Sequence, residues 1–237
     1  MKIALIGYGK MGRAIEEIAI QKGHSIIIKI TSGNTSELMI ENLQQADVAI
    51  EFTGPGSAYK NIKACLEAGL PVISGSTGWL DQRGDIENFC KQQDGTFLYA
   101  SNFSLGVNIF FEINKKLAAL MSAHPEYGVT IEEIHHTQKK DVPSGTAITL
   151  AEQVLKNIKR LSKWAIENAL PGELKITSKR IDPAPGTHHV LYHSEVDDIE
   201  IIHTAHNRKG FASGVILAAE FLSNKKGIFT MKDVLNL

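Results

Sequence analysis

Lys2-Ile3-Ala4-Leu5-Ile6-Gly7-Tyr8-Gly9-Lys10-Met11-Gly12 opens the chain. The first five residues are almost wholly apolar and read as a strand buried on both faces. Behind them stands a complete GxGxxG turn, and Met11, Ile15, Ile18 and Ala19 follow at helical spacing. Gly23-His24 ends that helix, and residues 25–30 read as a second strand. Strand, glycine turn, helix and strand fit within about 30 residues, the context that gives the glycine pattern meaning. Each glycine has its own task. Gly7 allows the tight turn, Gly9 lets the backbone approach a pyrophosphate, and Gly12 lets the helix pack on the strand. A lone GxGxxG says little; here it reads as a dinucleotide site rather than a structural turn.

Which dinucleotide is left open. NAD-binding proteins of this class usually carry Asp or Glu at the end of the second strand, bonding the ribose hydroxyls. Here that region is Lys29-Ile30-Thr31-Ser32-Gly33-Asn34, and the next acid is Glu37. Thr31, Ser32 and Asn34 suit a ribose or a 2′-phosphate, and Lys29 or Lys10 adds charge. NADPH and NADH both stand as cofactors.

Alternation continues to about residue 104. Strands are expected over 46–52, 71–74 and 96–100, with helices over 57–69 and 81–93. Thr53-Gly54-Pro55-Gly56-Ser57, Gly75-Ser76-Thr77-Gly78 and Ser101-Asn102-Phe103-Ser104 follow the three strands. In an open parallel sheet such loops share the carboxyl edge, where ligands bind. Beside the glycine turn they describe a nicotinamide pocket. Residues 105–121 read as a long helix connecting two lobes, with Val107, Phe110, Phe111, Asn114, Leu117 and Leu120 near one face.

Beyond residue 127 the pattern changes. Strands are expected over 129–135, 174–180, 188–192 and 199–205, with few helices between them. Strands in succession point to a mixed or antiparallel sheet, hence an α+β lobe. Arg180 and His188-His189 flank a turn over 182–187 and are candidates for a substrate pocket, whereas His193 and His203 read as ordinary strand residues. Residues 211–222 have helical periodicity and suit packing back on the first lobe. The domain division is therefore 1–104 with 208–237, and 105–207.

The second informative stretch is Glu132-Glu133-Ile134-His135-His136-Thr137-Gln138-Lys139-Lys140-Asp141-Val142-Pro143-Ser144-Gly145-Thr146-Ala147. It follows a strand and leads into a helix. Gly145 and Thr146 fall where a helix N-terminus offers backbone N–H groups to an anion. The histidines and lysines add proton donors and positive charge. A solvated loop ending in a helix cap is the plain alternative; as a site, the stretch suits an anionic substrate that must receive a proton.

Composition excludes several classes. The 237 residues are 43% hydrophobic and 22% charged, with a formal net charge of −1, which points away from nucleic acid and anionic membranes. Cys65 and Cys90 lie far apart in helical segments and read as buried packing residues, not a disulfide or metal pair. No apolar run reaches about 18 residues, the length of a membrane span. The chain begins directly with a strand, so no signal peptide and a cytoplasmic location are expected. No metal site is expected either: Glu132-Glu133-Ile134-His135-His136 is not HExxH, and adjacent histidines on a strand face opposite ways.

Glu133-Ile134-His135-His136, Lys139, Asp141 and Pro143-Ser144-Gly145-Thr146-Ala147 closely resemble the signature of the 4-hydroxy-tetrahydrodipicolinate reductase (dihydrodipicolinate reductase) family. The likeness extends to the Gly7–Gly12 turn, Phe52-Thr53, Gly75-Ser76-Thr77-Gly78, Ala100-Ser101-Asn102-Phe103, Arg208, Phe211 and the final Phe229-Thr230-Met231-Lys232-Asp233-Val234-Leu235. The resemblance implies an N-terminal Rossmann-type domain with an inserted α+β substrate and oligomerisation domain, and a homotetramer built through the insert. It implies NAD(P)H-dependent reduction of a dicarboxylate cyclic imine in lysine/diaminopimelate biosynthesis. By the same resemblance His135 and Lys139 are catalytic, and His136, Gly145 and Thr146 bind substrate. Gly7, Tyr8, Gly9, Lys10, Met11, Gly12, Gly75, Ser76, Thr77, Ala100, Ser101, Asn102 and Phe103 bind cofactor. The chain is shorter than many members of that family, the shortening falling between about residues 157 and 174. A different nicotinamide oxidoreductase, or a dinucleotide sensor without turnover, would share the first lobe but not the His-His…Lys…Ser-Gly-Thr cluster.

Overall fold

The computed structural model describes residues 1–207 and 209–237; Arg208, one residue of the resemblance, lies outside them. The chain separates into two compact units, Met1–Leu105 with Arg208–Leu237, and Gly106–Asn207.

The first unit runs β1 (Lys2–Ile6), α1 (Lys10–Gln21), β2 (Ser25–Ile30), α2 (Ile40–Leu43), β3 (Val48–Glu51), α3 (Pro55–Glu67), β4 (Val72–Ser74), α4 (Arg83–Gln92) and β5 (Thr96–Tyr99). The second holds α5 (Leu105–Met121) from its second residue on, β6 (Gly128–His135), α6 (Gly145–Asn157), β7 (Lys163–Ile166), β8 (Glu173–Arg180), β9 (Gly186–His193) and β10 (Asp198–Ala205). The chain then returns to the first unit through α7 (Lys209–Leu222), β11 (Gly227–Phe229) and α8 (Met231–Leu235).

Six strands of the first unit form a parallel sheet in the order β11-β5-β4-β3-β1-β2. Side chains alternate across it, and the two faces build two cores. Ile3, Leu5, Val48 and Ile50 pack with Ile15 and Ile18 of α1 and Val215, Ile216 and Leu222 of α7. Ala4, Ile6 and Ala49 pack on the other side with Ile62, Cys65, Leu66, Ile86 and Cys90. Both cysteines are free and buried, as their helical setting suggested; burial raises the Cys65 thiol well above its ordinary value. Strand order reverses at β1, whose neighbours are β2 and β3. Open parallel sheets place their ligand crevice at such a reversal.

The second unit is a mixed sheet in the order β10-β9-β6-β8-β7. β9 runs antiparallel to both its neighbours, while β6, β8 and β7 are mutually parallel. α6 covers this sheet through Ala147, Leu150, Ala151 and Val154, which share a core with Ile131, Ile176, Val190 and Tyr192. α5 differs in one respect from its sequence pattern: it buries Val107, Phe110, Asn114, Ala118 and Met121, and Leu120 is 70% exposed. The buried spacing is the helical 3–4–4–3 series, which Leu120 falls outside. Asn114 is tolerated inside because its amide donates to Leu150 O at 3.2 Å and Gln153 Oε1 at 2.9 Å. Among the described residues, no helix is long and apolar enough to cross a membrane.

Candidate active site

The first unit presents its loops along one sheet edge. Ile6, Glu51, Ser74 and Tyr99 stand abreast in the strand register. The residues after them, Gly7, Phe52, Gly75 and Ala100, therefore begin four neighbouring loops. Gly7 has φ +97°, and a Cβ there would lie 2.1 Å from Phe52 O. A Cβ on Gly12 would lie 2.4 Å from Gly7 O, so the turn closes only with hydrogen at both positions. Around Gly9 nothing lies within 4 Å of a Cβ position. Gly9 is also the N-cap of α1, which has no side-chain cap and no acid in its first turn. An open backbone surface at an uncapped helix N-terminus fits a dinucleotide pyrophosphate.

Glu51 organises the next two loops. It is fully buried and accepts from Thr53 N at 2.9 Å, from the Thr53 hydroxyl, from Ser74 Oγ at 2.6 Å and from Ser76 Oγ at 2.8 Å. Ser76 is thereby turned inward and buried, while Thr77 and Ser101 stay exposed. Phe103 is buried 5.7 Å from the Phe52 ring. Tyr8 donates to Glu16, which pairs with Lys29 at 2.6 Å, and the Lys29 ammonium sits 4.7 Å above the Tyr8 ring. After β2, Asn34 Oδ1 accepts from Thr31 N at 2.7 Å and Thr31 Oγ1 at 2.9 Å.

In the second unit the strand period of two decides which residues meet. β6 turns Val129, Ile131, Glu133 and His135 inward, so its buried face becomes polar at its carboxyl end. Glu133 lies between Ser178 of β8 and His188 of β9, and His135 lies opposite Arg180. Glu133 is fully buried. Its Oε1 accepts from Arg180 at 3.1 Å, and its Oε2 accepts from Ser144 N at 3.1 Å. Oε2 is also 3.1 Å from His135 Nδ1 and 4.0 Å from His188 Nε2. The approach to Nδ1 is close but not aligned as a straight hydrogen bond; such bonds often tighten only when substrate arrives. Burial by itself pushes the Glu133 carboxyl up, and the His135 and Ser144 contacts outweigh it, holding it well below the usual carboxylate range.

His135 is 7% exposed, and a Cβ on Gly186 would lie 3.0 Å from its Nε2. Its ring meets that of His188 edge-on at 5.1 Å. Burial, then the neighbouring His135, depresses His188 to about 3, so it is neutral. His188 Nε2 is 3.1 Å from Ser144 Oγ, which caps α6 by accepting from Ala147 N at 3.2 Å. His136 follows β6 and is half-buried. Lys139 Nζ contacts both Asp141 oxygens at 2.8 and 2.7 Å. Gly145 and Thr146 form the first turn of α6, with Gly145 exposed.

The structure thus brings His135, Ser144 and the start of α6 together around Glu133. Arg180 and His188, both substrate-pocket candidates on sequence grounds, are turned inward to the same carboxylate. The Glu133, His135 and His188 donor atoms lie within 4.8 Å of one another, close enough for a metal ion. The chemistry of the set does not favour one, because the carboxylate already carries a guanidinium and a backbone N–H. Sequence reasoning gave Glu133 no role of its own. One signal was legible: it stands two before His135 and hence on the same strand face.

A parallel-sheet unit with this glycine turn, joined to a mixed-sheet unit with a buried acid–histidine cluster, defines a nicotinamide-type oxidoreductase. Family models described as "Dihydrodipicolinate reductase, N-terminus" and "Dihydrodipicolinate reductase, C-terminus" match residues 1–103 and 106–235. The chain is 51% identical over 236 residues to a 4-hydroxy-tetrahydrodipicolinate reductase of Christiangramia forsetii, covering 100% of this chain and 98% of that one. It is 34% identical over 238 residues to one from Thermosipho africanus, covering 99% and 98%. Among solved structures, a dipicolinate-bound dihydrodipicolinate reductase from Paenisporosarcina sp. TG-14 superposes with a TM-score of 0.75 at 21% identity, over 97% of each chain. An amine dehydrogenase from Mycobacterium smegmatis shares the fold more distantly, with a TM-score of 0.61 at 10% identity over 98% of this chain and 95% of that one. The chain belongs to the dihydrodipicolinate reductase family and is an oxidoreductase.

Proposed function

We propose that the chain reduces 4-hydroxy-tetrahydrodipicolinate to tetrahydrodipicolinate, with loss of one water, in lysine and diaminopimelate biosynthesis. The observation that carries this reading is the buried Glu133–His135 pair at the carboxyl end of β6, joined through Ser144 to the first turn of α6. The names of the relatives support the substrate, and the dipicolinate bound to the Paenisporosarcina enzyme is a dicarboxylate of the same chemical class.

A reduced nicotinamide, when bound, would supply the hydride; Gly7 to Gly12, Gly75 to Thr77 and Ala100 to Phe103 would hold that cofactor. His136, Gly145, Thr146 and the Lys139 ammonium hold the substrate carboxylates, the backbone groups acting as fixed donors. Hydride addition at a ring carbon drives charge toward the ring nitrogen. Lys139, or His135 in its protonated form, neutralises it by donating one proton. The sum is substrate plus hydride plus proton, giving tetrahydrodipicolinate and water.

NADPH and NADH both serve. The end of β2 carries no acid to repel a 2′-phosphate, and Glu16, which stands near it, is already paired with Lys29. The protein is a homotetramer assembled through its second unit, whose edge strand β10 leaves Ile199 and Ile202 37% and 56% exposed. Light scattering on the purified protein tests the assembly.

The deciding experiment follows NADPH and NADH absorbance separately, with substrate generated in situ from pyruvate and aspartate semialdehyde by the preceding synthase. Oxidation dependent on that substrate is expected with both cofactors. Folded protein that binds a cofactor and oxidises neither would overturn the reading.

A further inference from the structure

Glu133 is a buried carboxylate at the centre of the second unit with no place in the proton or hydride chemistry above. Its partners are spread along the chain. One oxygen faces His135 Nδ1 and Ser144 N, each at 3.1 Å. The other takes Arg180 at 3.1 Å, and the same guanidinium nitrogen donates to Asp141 O at 2.7 Å while Arg180 Nε reaches Lys139 O at 3.3 Å. His135, the start of α6 and the backbone of residues 139–141 are therefore tied to one carboxylate, either directly or through Arg180.

The donor inventory makes the arrangement directional. Ser144 N and the Arg180 guanidinium can only donate, so both Glu133 oxygens act as acceptors. A His135 ring turned to the same acceptor must carry a proton on Nδ1, so its neutral form has a bare Nε2 toward the side where Gly186 approaches. A buried acid that fixes the tautomer and orientation of a proton-transferring histidine, without itself exchanging protons, is a known arrangement in acyl-transfer enzymes.

We propose that Glu133 is the positioning residue of the site: it sets the His135 tautomer, anchors the first turn of α6 through Ser144 N, and through Arg180 holds the backbone of residues 139–141 that carries Lys139. This rests on the reading of His135 and Lys139 as the proton-transferring groups. Arg180 is in consequence a structural cation and not a ligand for a substrate carboxylate.

Two measurements test it. The first needs no substrate and no turnover: ring-¹⁵N correlation NMR on histidine-labelled full-length protein, at a pH well above the ordinary histidine value, with the His135 signal assigned by its loss in His135→Gln. The wild type is expected to show Nδ1–H with bare Nε2, and Glu133→Gln a population of the opposite tautomer. A wild-type Nε2–H tautomer overturns the proposal even if no Glu133 variant folds, and an unchanged ring signature in folded Glu133→Gln does the same.

The second is kinetic, in wild-type and His135→Gln backgrounds. Glu133→Gln is expected to lower kcat by ~100-fold, the scale of a misplaced catalytic group, with cofactor KM unchanged. Most of that loss should vanish when His135 is already Gln, because groups acting as one unit are not additive. Glu133→Asp should recover part of the rate. An equal loss in both backgrounds, with no recovery by Asp, would reduce Glu133 to a structural ion pair. Absence of turnover in the wild type would instead defeat the functional reading, and the ring spectrum would still decide the tautomer.

Discussion

The first turn of α1 and the first turn of α6 both follow a strand end, yet they are finished differently. α1 begins at Gly9 with no side-chain cap, in a turn whose close contacts are to backbone, Gly12 on Gly7 O and Gly7 on Phe52 O. α6 begins at Ser144, which caps Ala147 N and has its own N–H held by Glu133 from a neighbouring strand. The first turn suits a ligand that needs only backbone donors at close range. The second is braced by side chains from β6, β8 and β9, and such bracing can set a protonation geometry as well as bind charge. On the proposed reading, one device, a helix N-terminus that favours anions, serves binding in one place and chemistry in another.

The sharpest way to break the comparison is to remove the proposed proton-transferring groups. His135→Gln and Lys139→Ala are each expected to lower turnover by ~10²–10⁴-fold, the usual worth of a general acid, while leaving cofactor affinity unchanged. Steady-state kinetics paired with a fluorescence titration of NADPH checks both halves, and wild-type turnover in either variant would remove that residue's role.

Stability against pH should follow the second unit. His188 sits at about 3 when folded and near ~6.5 when unfolded. Its contribution is complete above the unfolded value and is lost as pH falls from ~6.5 toward 3, by on the order of 1 kcal/mol per pH unit, because the unfolded chain binds the extra proton. Glu133, held below the usual carboxylate range, adds a loss of the same sign below its unfolded value near ~4.3. Urea unfolding from pH 8 to 4 should therefore show a shallower acid slope in His188→Gln than in the wild type. Parallel slopes would mean His188 is not held neutral.

Backbone dependence of the first turn is tested at two glycines. Gly12→Ala places a methyl 2.4 Å from Gly7 O and is expected to cost about 1–3 kcal/mol, as overpacking does, and to weaken cofactor binding. Gly9→Ala meets nothing within 4 Å, so its urea midpoint should match the wild type while NADPH affinity falls. Undiminished affinity in Gly9→Ala would take the pyrophosphate away from this turn. In Ser144→Ala, loss of the cap should lower stability to urea by about 1 kcal/mol and raise the substrate KM.

Long elements with a clear period were legible in the sequence. The helix over residues 105–121 and the strand of residues 25–30 coincide with α5 and β2. Some short elements were not. Lys163–Ile166 and Gly227–Phe229 are strands because β8 and β5 lie beside them, and neither is long enough to show a period. Ile40–Leu43 is a single helical turn, held by backbone bonds from Asn42 and Leu43 back to Met39 O. In the site, the His135–Thr146 stretch was legible because its residues are contiguous. Glu133 was in view without a role, since its partners Arg180 and His188 come from strands far along the chain.

The sequence alone determined the parallel dinucleotide unit, its glycine turn and the residues at its loop ends. Each strand, glycine turn and helix there carries its own local pattern, which made the unit legible, although the pairing that assembles it joins residues as far apart as Ile6, Glu51, Ser74 and Tyr99. It also determined that His135 and Glu133 share a strand face, because side chains alternate with period two. Only the tertiary structure decided what lies opposite them. Strand pairing joins Glu133 to His188 and Ser178, and His135 to Arg180, through a register that no local pattern encodes. Burial then turned that register into chemistry, making His188 neutral and giving the Glu133 carboxylate a guanidinium, a backbone N–H and an imidazole as neighbours.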